Sequence, residues 1–219
     1  MERPTARSYT IRGSRITAAQ RVAKDVFQPV HGLEFKQEII DFKTLFPSSE
    51  KIIMEIGFGM GEATAIIAKN HLNNGYIAVD VHPPGIGKLL ARIVEQELTN
   101  IKVIEDDVHI VLQHMIADES LDGIHLYFPD PWPKVKHYKR RIVNAGFLAL
   151  IYSKIKKDGY IHIATDWVPY AVKIQQVFAT STLFSGGVID KPDSRPVTRF
   201  EGQGIDKNHA VNDMYYTKI

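Results

Sequence analysis

Residues 51–69 read KIIMEIGFGMGEATAIIAK. Ile52, Ile53, Met54 and Ile56 form a short, nearly continuous apolar run, the pattern of a strand covered on both faces in a parallel sheet. Gly57, Gly59 and Gly61 follow at alternate positions, so the backbone can turn sharply and a ligand can approach without meeting a Cβ. Ala63, Ile66 and Ile67 then supply the apolar face of a helix. A buried strand, a glycine turn and a helix predict an open α/β sheet. The carboxylate of Glu55 falls at the carboxyl end of the strand, where such sheets bind their ligands.

Dinucleotide enzymes and P-loop proteins also use glycine-rich turns of this kind, and the details narrow the choice. No Gly-Lys-Ser/Thr follows the turn, which argues against a triphosphate cradle. The glycines read G-x-G-x-G and Glu62 comes next, and an acid near a helix start repels a pyrophosphate. A ligand with a cationic or neutral centre fits better. E-x-G-x-G-x-G resembles the cofactor loop of class I S-adenosylmethionine methyltransferases, whose ligand carries a sulfonium and an α-ammonium. The bland alternative is a tight turn with no ligand.

With 219 residues, 44% of them hydrophobic, the chain can bury a full core and is most simply one domain. It has no cysteine, which removes disulfides, thiolate metal sites and a cysteine nucleophile and is compatible with the cytoplasm. The first residues, MERPTARSYTIRG, have no apolar core for a signal peptide, and no apolar run is long enough to span a bilayer, so a soluble protein is expected. The nine histidines make no H-E-x-x-H pattern, and no metal is expected. Net charge is +2, but residues 1–24 and the run KVKHYKRR at 134–141 each carry +5, leaving −8 for the rest. Positive charge confined to an arm and one patch is the footprint of a protein that docks a polyanion.

Residues 1–23 show no clear periodicity and are expected to form a basic, mobile arm, the plain alternative being a solvated tail. EFKQEIIDFKTL at 34–45 predicts a short helix ended by Pro47. YIAVDV at 76–81 is a second strand ending in Asp80, placed to accept the two hydroxyls of a ribose. An acid there serves nicotinamide enzymes equally well, or simply solvates a strand end. Pro83, Pro84, Gly85 and Gly87 suggest a turn, after which Ile86, Leu89, Leu90, Ile93, Val94 and Leu98 recur at helical spacing. IKVI at 101–104 is a third strand, followed by Asp106 and Asp107; in methyltransferases of this class an acid here receives the adenine amine, and Asp107 is the choice by position. One of the two acids can instead cap the next helix.

GIHLYF at 123–128 is a fourth strand running into PDPWPK, where Pro129, Pro131 and Pro133 hold Asp130 and Trp132 on a stiff loop at the ligand edge. Amino- and ring-nitrogen methyltransferases commonly grip the target base with an acid or amide, a proline and an aromatic at this position. In the patch that follows, cations supply phosphate affinity and His137 and Tyr138 supply rings for stacking. Residues 145–155 read as a helix and YIHIA at 160–164 as a fifth strand, with Asp166 placed to cap the next helix. The tail supplies the last strands, one of them containing MYYT at 214–217.

Together EIGFGMG, YFPDPWPK, KHYKRR, ATDW and SRPVTRFE resemble the bacterial tRNA (guanine-N7)-methyltransferase family over most of the chain. The resemblance implies a Rossmann-like methyltransferase with a mostly parallel seven-stranded sheet whose last strand is antiparallel. It implies methyl transfer from S-adenosylmethionine to N7 of guanine 46 in the tRNA variable loop, by a cytoplasmic monomer or homodimer with no membrane or metal partner. It assigns Glu55, Gly57, Gly59, Gly61, Asp80, Asp107 and Asp130 to the cofactor, Asp130 also to catalysis. Lys134, Asp166, Thr198, Arg199, Phe200 and Glu201 fall to substrate, and Lys136, His137, Tyr138, Lys139, Arg140 and Arg141 to RNA. The family often has Glu where this chain has Asp80, and an acid one methylene shorter should still reach a ribose. Two other classes compete: a nicotinamide-dependent oxidoreductase, disfavoured by the glycine spacing and by Glu55 and Glu62, and a non-catalytic RNA-binding module on the same fold.

Overall fold

In the computed structural model, which describes residues 7–9, 15–197 and 211–219, Lys51–Ile56 is strand β1 and every residue of it after Lys51 is buried. It lies between β2 (Asn74–Asp80) and β4 (Leu121–Tyr127), parallel to both, which is why its apolar run is continuous rather than alternating. β3 (Ile101–Glu105), β5 (Ile155–Thr165), β6 (Phe184–Ile189) and β7 (Asn212–Lys218) complete one seven-stranded sheet in the order β3-β2-β1-β4-β5-β7-β6. Only β7 runs against its neighbours, so the sheet is mostly parallel with the last strand antiparallel, as expected. The order reverses between β1 and β4, which opens a crevice at the carboxyl ends of those strands.

Helices cover both faces. α5 (Val108–His114), α6 (Ala145–Lys154) and α7 (Val168–Ala179) lie over an aliphatic cluster that includes Met54, Ile77, Ile124 and Ile161. α3 (Glu62–Asn70) and α4 (Pro83–Glu95) cover Ile53, Tyr76 and Ala78 on the other face.

Three expectations are corrected. A helix, α1 (Ala18–His31), begins inside the stretch expected to be an arm; Thr17 and Gln20 form a capping box, each side chain bonding the other's backbone N–H. That T-A-A-Q signal was present in the sequence, and α1 packs along α4. The helix expected over 34–45 is only α2 (Phe42–Leu45), because the preceding backbone bonds elsewhere: Leu33 N–H to Val103 O at 2.8 Å and Ile40 N–H to Met115 O at 2.9 Å. The stretch expected to turn at Pro83–Gly87 is instead the first turn of α4, with the prolines where their missing N–H costs nothing. Its glycines serve contact: a Cβ on Gly85 would fall 1.9 Å from Gly59 O, and one on Gly87 2.2 Å from Gln20 O. They let α4 press against the glycine loop and against α1.

Candidate active site

At the carboxyl edge of β1, β2 and β4 lies a cavity of about 530 Å³, lined by Gly57, Gly59, Asp80, Asp106, Tyr127, Pro129 and Asp130 together with Ser8 and Tyr9. That is room for a nucleoside-sized ligand. The glycine loop makes its wall with backbone: Gly57, Gly59 and Gly61 have φ of +73°, +59° and +68°, a region closed to most side chains. Gly61 itself stands outside the lining, as the N-cap of α3 against Leu89.

Asp80 ties the loop to the end of β2. Its Oδ2 accepts from Gly59 N–H at 2.8 Å and its Oδ1 from the N–H groups of Val81 and His82 at 2.7 and 3.0 Å. Burial raises its pKa even so. Three of its roughly four acceptor sites are thus used, and Oδ2 retains one for a ribose hydroxyl. Glu55 is not among the lining residues; it lies on the same sheet face as Asp80 and Tyr127, one position deeper in β1, where burial, with the Thr64 hydroxyl opposing and Asp80 adding, raises its pKa to about 7.

The two aspartates after β3 divide the tasks left open by the sequence. Asp106 lines the cavity; Asp107 caps α5 by accepting from His109 N–H at 2.9 Å. Burial would raise the Asp107 pKa, but bonds from His109 and from the Tyr9 hydroxyl outweigh it and hold the carboxyl below its usual range.

Asp130 lines the cavity on the loop after β4. Besides its three prolines, this loop places Phe128 and Trp132 at φ +53° and +43°, conformations that bulky side chains keep only when their surroundings hold them. The basic run supplies those surroundings. Residues Val135–Arg140 form a 3-10 helix that folds back on the loop. Arg141, 6% exposed, donates from Nε to Pro131 O at 2.8 Å and stacks on Tyr138 and Tyr170. The guanidinium of Arg140 lies 3.9 Å from the centre of the Trp132 ring and donates to the carbonyls of Arg7 and Tyr9. The expectation that Arg141 faces RNA is corrected: it is an internal brace, while Arg140 is half-buried between Trp132 and the backbone of Arg7 and Tyr9. Lys134, Lys136 and Lys139 are exposed, Tyr138 is 43% exposed, and His137 packs edge-on against Trp132.

Asp166 sits half-buried between β5 and α7, outside the cavity lining; Trp167, not Asp166, occupies the N-cap position of α7. Thr198, Arg199, Phe200 and Glu201 lie outside the described residues. Sequence reasoning missed Ser8 and Tyr9, whose segment is held at the cavity by Trp132 Nε1–H donating to Ser8 O at 3.0 Å. It also missed Tyr127, although its place at the end of β4, three residues before Asp130, was a usable signal.

This sheet order, with a glycine loop and acids at the ends of successive strands around one crevice, defines a class I methyltransferase fold. Among solved structures, the 16S rRNA methyltransferase KamB shares it with a TM-score of 0.61 at 13% sequence identity, over 83% of this chain and 94% of that one. A family described as "Putative methyltransferase" matches residues 49–214. A tRNA (guanine-N(7)-)-methyltransferase of Nitrosospira multiformis is 44% identical over 97% of this chain and 94% of its own length. Another from Nitrosomonas eutropha is 42% identical over 98% of this chain and 97% of its own. The chain belongs to the tRNA (guanine-N(7)-)-methyltransferase family.

Proposed function

We propose that this protein transfers the methyl group of S-adenosylmethionine to N7 of guanine 46 in the variable loop of tRNA. The observation that carries the reading is one cavity lined both by the glycine loop with Asp80 and by Asp130 on its braced loop. The lining fits the cofactor: backbone groups at Gly57 and Gly59, a carboxylate held by three N–H donors with one acceptor site to spare, and Asp106 at the next strand end, beside Asp107. When bound, S-adenosylmethionine supplies an electrophilic methyl on a sulfonium. Asp80 would hold the ribose, and Asp106 or Asp107 the adenine amine.

Guanine N7 carries an in-plane lone pair and no proton, so attack needs no strong base. Positive charge develops on the purine. Asp130, accepting from the guanine N1–H and amino group, orients N7 and stabilises that charge before reaction, with little loop ordering left to do. Lys134, Asp166 and the segment 198–201 complete the substrate site. Lys136 and Lys139, turned outward beside Tyr138, contact tRNA phosphates.

Methylation of an unmodified tRNA transcript, mapped by cleavage at 7-methylguanosine, tests the reading. A single product at position 46, lost when that guanine is replaced, is expected. tRNA binding without transfer would leave a non-catalytic RNA-binding module.

A further inference from the structure

We propose that Arg195 is a positioning residue for this methyl transfer, a wholly buried guanidinium that braces the Asp130 loop from behind the cavity. The proposal rests on the function argued above.

Arg195 is 0% exposed and pairs bidentately with Asp213 of β7, Nε to Oδ1 at 2.7 Å and Nη2 to Oδ2 at 2.8 Å. Its guanidinium carbon lies 5.9 Å from the centre of the Tyr127 ring and 5.8 Å from that of Phe128. These are the cavity wall and the first residue of the loop. A circuit closes behind them. Asp213 Oδ1 also meets His162 Nε2 at 2.7 Å, and His162 Nδ1 meets the Tyr127 hydroxyl at 3.1 Å. A neutral His162 satisfies it, donating from Nε2 and accepting the tyrosine proton at Nδ1. Tyr127 is thus fixed at its hydroxyl by Asp213 through His162 and at its ring by the partner of Asp213.

Stability alone does not call for this arrangement, because a buried ion pair is often no better than a well-packed apolar pair of the same volume. What the pair provides is direction. Phe128 holds a left-handed backbone two residues before Asp130, with its N–H on Ala164 O at 2.8 Å, and the Arg195 guanidinium lies 5.8 Å from its ring centre. Loosening that contact turns the loop that aims Asp130 without touching the cofactor side of the cavity.

The test compares the wild type with R195M/D213N, which removes both charges and leaves an amide oxygen for His162, and with R195K, which keeps a charge beside Asp213 but loses the planar fork. The expected result for the double variant is S-adenosylmethionine affinity within about threefold of wild type, with single-turnover methylation at saturating tRNA and cofactor slowed by about tenfold or more. R195K should fall between. A double variant with wild-type cofactor affinity and a rate within about twofold of wild type would reduce Arg195 to a counter-charge for Asp213. If the double variant does not fold, R195K decides, and a wild-type rate there overturns the proposal. A wild type that leaves tRNA unmethylated strikes the functional reading instead.

Discussion

On one face of β4 and β5, Ile124, Leu126, Ile161 and Ile163 join the aliphatic cluster beneath α5, α6 and α7. On the other face, alternate residues of the same strands are His125, Tyr127, Tyr160 and His162, linked in pairs by hydrogen bonds and joined to Asp213 and Arg195. The first face is held by area removed from water, which is tolerant of detail; a swap of similar volume there costs little. The second is held by partners that must each be satisfied, since an unpaired buried polar group costs about 1–3 kcal/mol. Such a network stabilises less than it specifies. It stands directly behind Tyr127 and the Asp130 loop. The apolar face supports the fold, and the polar face sets the geometry of one edge.

The largest expected effect lies at that edge. Asp130→Asn keeps the shape but removes the charge that complements a purine becoming cationic, so the interaction lost is one that strengthens in the transition state. Single-turnover methylation should slow by about a hundredfold or more while cofactor affinity stays near wild type. A rate within threefold of wild type, a change of well under about 1 kcal/mol, would take Asp130 out of the mechanism and turn attention to Asp166.

Two buried groups on the polar side make the contrast between faces measurable by pH. Burial lifts Glu55 from 4.5 to about 7, so its contribution to stability is full below pH 4.5 and is lost as pH rises to about 7. Burial, with His162 and His71 nearby adding to it, depresses His125 from 6.5 to about 3, so its contribution is full above pH 6.5 and is lost as pH falls toward 3. Between pH 4.5 and 6.5 the two slopes oppose, each approaching about 1.4 kcal/mol per pH unit. Glu55→Gln should therefore lose about 2 kcal/mol of unfolding free energy between pH 6.5 and 5, and His125→Asn should gain about as much. Urea titrations at the two pH values decide it; parallel profiles in the two variants would mean that neither group titrates as its burial implies.

A smaller effect is expected at Asp80, where Asp80→Ala removes the ribose acceptor and the bond to Gly59 together. Affinity for S-adenosylmethionine should fall at least about tenfold by calorimetry, and an unchanged affinity would place the ribose elsewhere.

The smallest belongs to the surface. Lys136→Ala with Lys139→Ala should weaken tRNA binding and flatten its log–log salt slope by about 0.7–0.9 per lost phosphate contact. Arg141→Ala, although it lies in the same basic run, should lower the melting temperature instead, because Arg141 is buried against Pro131, Tyr138 and Tyr170. A reversed outcome, with the lysines silent and Arg141 governing the slope, would overturn the division of the patch into an inner and an outer half.

Much of this was legible along the chain, because local patterns dictate local structure. The unbroken apolar run at 52–56 can only be satisfied by cover on both faces, and the left-handed turns at Gly57, Gly59 and Gly61 admit few residues besides glycine. An acid ending a strand of a parallel sheet reaches the same edge as the acid ending its neighbour, so Asp80 and Asp130 were placed at one crevice before any packing was known. Charge counting located the basic run, but a count has no direction. Whether a cation faces solvent or an aromatic ring depends on what the fold sets beside it, and the Asp130 loop set Trp132 beside Arg140 and Pro131 O beside Arg141. Arg195 and Asp213 are 18 positions apart and belong to no motif spacing; only the antiparallel return of β7 beside β5 brings Asp213 opposite Ala164 and gives that guanidinium its partner.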